Sequence, residues 1–265
     1  LSSAAKYGMR FDHYVGFVCP PGSTDFTAQL FREHCLESVC AVQNSAYYEN
    51  ATYNDDLGNR DERLTHLERG VAAMKSAQVD VVGQFGGYWS LCYTPTWEEA
   101  KKLQADLTQR FEISVVLNWV AIVEALHAVG ANRISVAAGY YRKPWTAASV
   151  RFLESAGFEV LWAGDVIDQG LFADESERNA LEAATRWDYP DEIVEAACVD
   201  AASRAPDCDA ICQTGAGMHA TYVADAVEKA TGKPLVSTDG ALFWSIMRKL
   251  CIAGVDTRGL LIRDA

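Results

Sequence analysis

Apolar and polar positions along this chain follow two alternating rhythms. Short, nearly continuous apolar runs such as YVGFVCP (14–20), VDVVGQF (79–85), ISVVL (113–117) and RISVAAG (133–139) have the length and content of buried strands. The stretches between them carry apolar residues at spacings of three and four, which predicts helices. The predicted order is strand 14–20, helix 26–38, strand 39–47, helix 61–78, strand 79–86, helix 96–111, strand 113–117 and helix 118–130. It then begins again with strand 133–139, helix 146–157, strand 158–164, helix 190–204, strand 209–214, helix 218–232, strand 234–238 and helix 240–250. Thr96, with Glu98 and Glu99 in the first turn behind it, marks one helix start, and Gly130 marks a helix end.

Strands alternating with helices predict an α/β fold with parallel sheets flanked by helices on both faces. The restart near residue 118 predicts two pseudosymmetric, Rossmann-like lobes with the site in the cleft between them. The division expected is 1–117 plus 236–265 for the first lobe and 118–235 for the second. The acidic segment 168–189, poorly periodic over its first half, reads as a surface excursion, either a plain loop or a lid.

Two stretches far apart read alike: VDVVGQFGGYWSL (79–91) and CDAICQTGAGMHA (208–220) each run from an acidic residue through an apolar strand into glycines. Ligands of open α/β sheets bind beyond the carboxyl ends of the strands, and glycine there admits a ligand to the main chain. Two such ends predict two facing half-sites. Neither turn fits GxGxxG or a phosphate loop, so a nucleotide site is not supported, and no GxSxG, HExxH or EF-hand pattern occurs, so no metal is expected.

A formal net charge of −13 over 265 residues, without a basic stripe, opposes nucleic-acid binding. No apolar run approaches a membrane span and the first residues lack a signal-peptide centre, so a cytoplasmic protein is expected. The eight cysteines form no CxxC pair and read as reduced thiols. Of the five histidines, four read as lying on helix surfaces or in the N-terminal segment. His219 differs because it falls in the first turn of the helix that opens from the second glycine turn.

The segments GFVCPPG (16–22), VDVVGQFGGYW (79–89), NRISVAAGYY (132–141) and the run from Asp209 through GKPLVSTDGALFW resemble the aspartate/glutamate racemase superfamily, in its arylmalonate decarboxylase and maleate cis-trans isomerase branch. The resemblance covers nearly the whole chain and preserves element order. It implies a cofactor-independent site between two lobes, acting on a small carboxylate. In the superfamily, racemases use one cysteine per lobe, the isomerase uses a cysteine nucleophile, and the decarboxylase keeps the second-lobe cysteine as proton donor.

This chain departs from that pattern at both places. Counting from Asp80, the first-lobe cysteine position falls on Gly86 or Gly87; counting from Asp209, the second-lobe position falls on Gly215. Cys212 points to the opposite face from residue 215 by strand alternation, which leaves Cys19 and Cys92 as candidate replacement thiols. Backbone NH groups around Gly87, Tyr88, Trp89, Gly215, Ala216 and Gly217 are the expected carboxylate holders, aided by a helix opening near Gly217. Tyr140 matches a family tyrosine that bonds the substrate carboxylate, and Asn118 and Ser23 fall where relatives place polar cleft residues. Tyr88 and Trp89 stand where the decarboxylase has small hydroxyl residues; they either shrink the cleft or wall it with aromatic surface.

The catalytic candidates are therefore Tyr140, His219 and Cys19, with Tyr141 and Asp239 as further acid/base groups; Asp239 also reads as a helix N-cap. The expected function is a cofactor-independent isomerase or lyase working without the family thiols. The alternative is a carboxylate-binding or regulatory protein that kept the cleft and lost the chemistry. Self-association into a homo-oligomer is left open.

Overall fold

The computed structural model describes residues 10–20, 26–45, 60–255 and 259–263. In the first half lie β1 (His13–Cys19), α1 (Thr27–His34), β2 (Val39–Ser45), α2 (Arg60–Ser76), β3 (Val81–Gln84), α3 (Gly87–Leu91), α4 (Trp97–Phe111) and β4 (Ser114–Leu117). The second half holds α5 (Asn118–Ala128), β5 (Arg133–Gly139), α6 (Lys143–Ser155), β6 (Glu159–Asp165), α7 (Glu175–Thr185), α8 (Asp191–Arg204), β7 (Ala210–Gln213), α9 (Ala224–Thr231), β8 (Leu235–Ser237), α10 (Thr238–Leu250) and α11 (Leu260–Arg263). Two four-stranded parallel sheets result, ordered β2-β1-β3-β4 and β6-β5-β7-β8. Each inner strand β3 and β7 is buried at every position, as a strand covered on both faces must be.

The two sheets repeat each other down to single hydrogen bonds. Asp80, just before β3, accepts from Tyr14 N through its carboxylate (2.7 Å) and donates its own NH to Tyr14 O (2.7 Å). Asp209, just before β7, does the same to Arg133, at 2.8 Å and 2.7 Å. The acidic residue that opens each stretch thus fixes the register of the strand beside it. At the centre, α5 and α10 pack on one another, both almost wholly buried. α10 follows β8 yet lies against β3 and β4, while α5 lies against β8, so the helices cross between the sheets. Phe17 of β1, Phe31 of α1 and Phe243 of α10 meet edge to face at 5.3–6.1 Å and anchor that crossing.

Several elements depart from the sequence expectation. α4 starts where Thr96 predicts: its Oγ1 accepts from Glu99 N and donates to the Glu99 carboxylate (2.7 Å). The excursion 168–189, by contrast, contains α7, capped by Asp174, whose Oδ1 accepts from Ser176 N (2.8 Å) and Glu177 N (3.0 Å). Its inward residues include Arg178 and Glu182, which is why an apolar period was missing. The helix expected from 218 begins only at Ala224; Ala216–Met218 and Ala220–Tyr222 are short 3₁₀ turns. His34 is no surface residue: it faces the core, with Nδ1 2.6 Å from Leu30 O. No helix among the described residues is long and apolar enough to cross a membrane.

Candidate active site

The candidate site lies at the carboxyl ends of β3 and β7. Each strand ends in glutamine, and each glutamine amide turns back on the glycine turn that follows. Gln84 Nε2 donates to Phe85 O (2.6 Å) and Gly86 O (3.1 Å); Gln213 Nε2 donates to Thr214 O (2.5 Å) and Gly215 O (3.2 Å). Held this way, Gly86 adopts φ 93°, ψ 96° and Gly215 adopts φ 104°, ψ 90°, a left-handed conformation that side chains disfavour. This internal repeat pairs Gly86, rather than Gly87, with Gly215. The glutamines were not among the expected site residues, although Gln-x-Gly stands in both stretches.

The helix starts beyond the sheets join the two turns. Asn118 N donates to Gln84 Oε1 (3.3 Å), Asn118 Nδ2 donates to Thr238 O (2.7 Å), and Thr238 Oγ1 donates to Gln213 O (3.1 Å). Asn118 is therefore part of the frame linking the lobes. Its Oδ1, together with Gln213 Oε1 and Thr214 Oγ1, is buried without a hydrogen-bond partner. Such atoms cost about 1–3 kcal/mol each when left unmade, so three of them around the strand ends mark a place that favours a polar ligand.

Two consecutive tyrosines at the end of β5 face the two turns. A Cβ on Gly215 would lie 3.1 Å from the Tyr140 ring, and a Cβ on Gly87 would lie 2.8 Å from Tyr141 Oη. The rings meet edge to face at 5.6 Å, and Tyr140 Oη accepts from Gly217 N (3.3 Å). Gly87 O accepts from Trp119 Nε1 (2.6 Å) and Ser90 Oγ (3.0 Å), fixing the start of α3. Tyr88 stacks at 3.8 Å on Trp145 of α6, with Tyr141 at its edge, so its ring spans from one lobe to the other. Trp89 is buried and packs on Tyr93.

The remaining expected residues fall as follows. Cys19 ends β1, buried, beside Pro20, whose ring a Cβ on Gly86 would meet at 2.9 Å. Ser23 lies outside the described residues. Ala216 and Gly217 belong to a 3₁₀ turn, not to an opening α-helix, so no helix dipole acts there; within the turn Gly217 N is bonded to Tyr140 Oη and Met218 N to Gly215 O. His219 has φ 42° between the two short turns, not a place in a helix; its ring packs on Phe26 at 4.3 Å and its Nε2 lies 3.9 Å from Asp188 Oδ1. Asp239 is not the N-cap, which is Ser237: Gly240 N donates to Ser237 Oγ (3.1 Å) and to Asp239 Oδ1 (2.9 Å), Ser237 Oγ donates to Asp239 Oδ1, and Asp239 Oδ2 accepts from Thr221 N and Thr221 Oγ1. One of its oxygens holds α10 to the second 3₁₀ turn, and the other closes the first turn of α10.

All eight cysteines are free thiols. Burial pushes Cys92 up to about 11 and Cys212 up to about 12, and Cys92 Sγ donates to Trp89 O (2.9 Å). Neither is a thiolate near neutral pH, which removes Cys92 as a ready nucleophile.

A family model for arylmalonate decarboxylase matches residues 61–260, a span that contains both glycine turns and both tyrosines. The chain belongs to the arylmalonate decarboxylase family. Among solved structures it is similar to unliganded arylmalonate decarboxylase, with a TM-score of 0.76 and 18% identity over 96% of this chain and 100% of that one. It is similar also to a cysteine-to-serine mutant of maleate cis-trans isomerase from Nocardia farcinica carrying a covalently bound succinylcysteine intermediate (TM-score 0.74, 19% identity, 96% of this chain, 99% of that one). The maleate isomerase of Pseudomonas putida S16 gives 0.71 and 19% over 95% of this chain and 98% of that one. At such identities the likeness carries the two-lobed fold. No curated protein matches the chain by sequence.

Proposed function

We propose that this protein is a cofactor-independent lyase or isomerase acting on a small carboxylic acid, with tyrosine in place of the thiols of its relatives. The observation that carries the reading is the pair of matched glycine turns, each faced by one of two consecutive tyrosines. The turns supply backbone NH groups to an oxyanion, and the buried Thr214 Oγ1 adds a hydroxyl donor.

A phenol, with an ordinary pKa of ~10, is an acid at neutral pH, which suits delivery of a proton to carbon better than its removal. In the lyase form of the reaction, the bond from the α-carbon to one carboxylate breaks. Carbon dioxide leaves, and the electron pair stays behind as an enediolate held by the turns. Tyr140 Oη gives its proton to the α-carbon, and the phenolate recovers one from water. His219, held between Phe26 and Asp188, is the second acid/base candidate. Tyr88 on Trp145 narrows the cleft, which favours compact acids.

The test is incubation in D₂O with malonates, maleate, amino acids and hydantoins, followed by NMR. Deuterium incorporation, decarboxylation or isomerisation is expected, falling at least about 100-fold in Tyr140→Phe. Binding without turnover of any of these acids would replace the enzyme with a carboxylate-binding protein.

A further inference from the structure

Behind Tyr140 lies a buried charge cluster that no part of the proposed chemistry uses. The carboxylate of Glu182, on α7 and 4% exposed, accepts two hydrogen bonds from Arg142, Nη1 to Oε1 (3.1 Å) and Nη2 to Oε2 (3.0 Å), and a third from Tyr189 Oη (3.1 Å). Arg178 Nε lies 3.6 Å from the same carboxylate, with its side chain 1% exposed. Burial, with the Glu182 charge beside it, raises the Tyr189 phenol well above its ordinary range, so it stays a donor to Glu182.

One arm of this cluster ends on Tyr140, the other on both Tyr140 and the second glycine turn. Arg142 Nη1 donates to Tyr140 O (2.9 Å), and the Tyr189 ring stacks on the Tyr140 ring at 5.6 Å and 21°. Tyr189 N donates to Gly217 O (3.3 Å), and a Cβ on Gly217 would lie 2.5 Å from Trp187 O. The chain reaches this position through Arg186 (φ 55°) and Trp187 (φ 69°), two consecutive left-handed residues without glycine. Such strain persists where surrounding structure enforces it: Arg186 N and Trp187 N both donate to the main-chain carbonyl of Glu182, while its carboxylate reaches the turn through Arg142 and Tyr189. Gly217 N and Tyr140 Oη, which bond each other, are thus clamped from two sides by one carboxylate.

We infer that Glu182 is a positioning residue: through Arg142 and Tyr189 it sets Tyr140 against the Gly215–Gly217 turn. The inference rests on the reading of Tyr140 as a site residue only for its effect on ligand; its structural half stands alone. In ¹⁵N-labelled protein, Glu182→Gln should raise amide exchange at Gly217 and Tyr189 by about tenfold, the factor set by loss of an ordinary hydrogen bond, and leave β1 and β3 unchanged. Tyr189→Phe, which keeps the ring stack and removes one bond to Glu182, should raise Gly217 exchange less and covers the case in which Glu182→Gln does not fold.

With malonate as probe, Glu182→Gln and Tyr140→Phe should each weaken binding, and the double variant should be no weaker than Tyr140→Phe, since the first acts through the second. Additive losses would make Glu182 a general stabiliser and overturn the inference. Unchanged Gly217 exchange in the folded variants overturns it too, whatever malonate does. Faster Gly217 exchange with no malonate binding even by the wild type supports the clamp and overturns the carboxylate-site reading instead.

Discussion

The matched backbone of Gly86 and Gly215 makes a quantitative demand on any side chain placed there. At φ 93° and 104° an alanine enters a sparsely populated region, at a cost of about 1–3 kcal/mol. The neighbours differ. A Cβ on Gly86 would meet Pro20 Cγ at 2.9 Å and Cδ at 3.0 Å, atoms of a rigid ring, which adds about 1–3 kcal/mol of overpacking. A Cβ on Gly215 would meet Tyr140 Cε1 at 3.1 Å, tight by a few tenths of an ångström against a ring braced by Tyr189 and Trp187. Gly130 provides the control: it has φ 74° with no atom within 4 Å of a Cβ, so only conformational strain of about 1 kcal/mol applies. Urea unfolding should therefore rank the losses Gly86→Ala first, Gly215→Ala second and Gly130→Ala last. In thermal scans each kcal/mol corresponds to roughly 2–4 °C at this size. Gly86→Ala and Gly215→Ala no less stable than Gly130→Ala would refute the claim that the turns are strained and crowded at these two positions.

Asp239→Ala removes an acceptor of bonds from Thr221 and Ser237 and should cost about 3 kcal/mol in denaturant unfolding, far more than an N-cap loss. The backbone NH groups of Arg133 and Asn132 hold the Asp209 carboxyl below its usual range, so its contribution is full above the unfolded pKa of ~3.9 and is lost as pH falls through the lower folded value. Stability of wild type relative to Asp209→Asn should accordingly be constant near neutral pH and shrink in acid; a gap that widens there would contradict the assignment. In a thiol titration at pH 8, exposed Cys251 should react first, while Cys92, pushed up to about 11, holds about one thiolate per thousand molecules and reacts with unfolding. Iodoacetamide treatment that stops at Cys251 should leave turnover intact.

Much of the fold was legible because parallel sheets write themselves as apolar runs between amphipathic stretches. The acidic residue, the strand and the glycines of the two similar stretches each have a structural counterpart: Asp80 and Asp209 set register, and Gly86 and Gly215 turn the chain. Gln84 and Gln213 stood in the same stretches yet went unread, because a glutamine within an apolar run carries no periodic signal; its meaning is the turn carbonyls it holds. α7 escaped for a related reason. Its inward face holds Arg178 and Glu182, polar where a core-facing helix is normally apolar, and the closest ionic partner of Glu182 is Arg142, forty residues away in the chain. Counting along the sequence does not distinguish Gly86 from Gly87, whereas in backbone conformation Gly86 is the counterpart of Gly215.

The crossing of α5 and α10 limits how this molecule can admit a ligand. Asn118 and Thr238, at the starts of the two helices, hydrogen-bond each other and the strand-end glutamines of both sheets. A clamshell motion of the two sheets would break these hydrogen bonds before it widened the cleft. On the proposed reading, a ligand would therefore have to reach the strand ends without the two sheets moving apart.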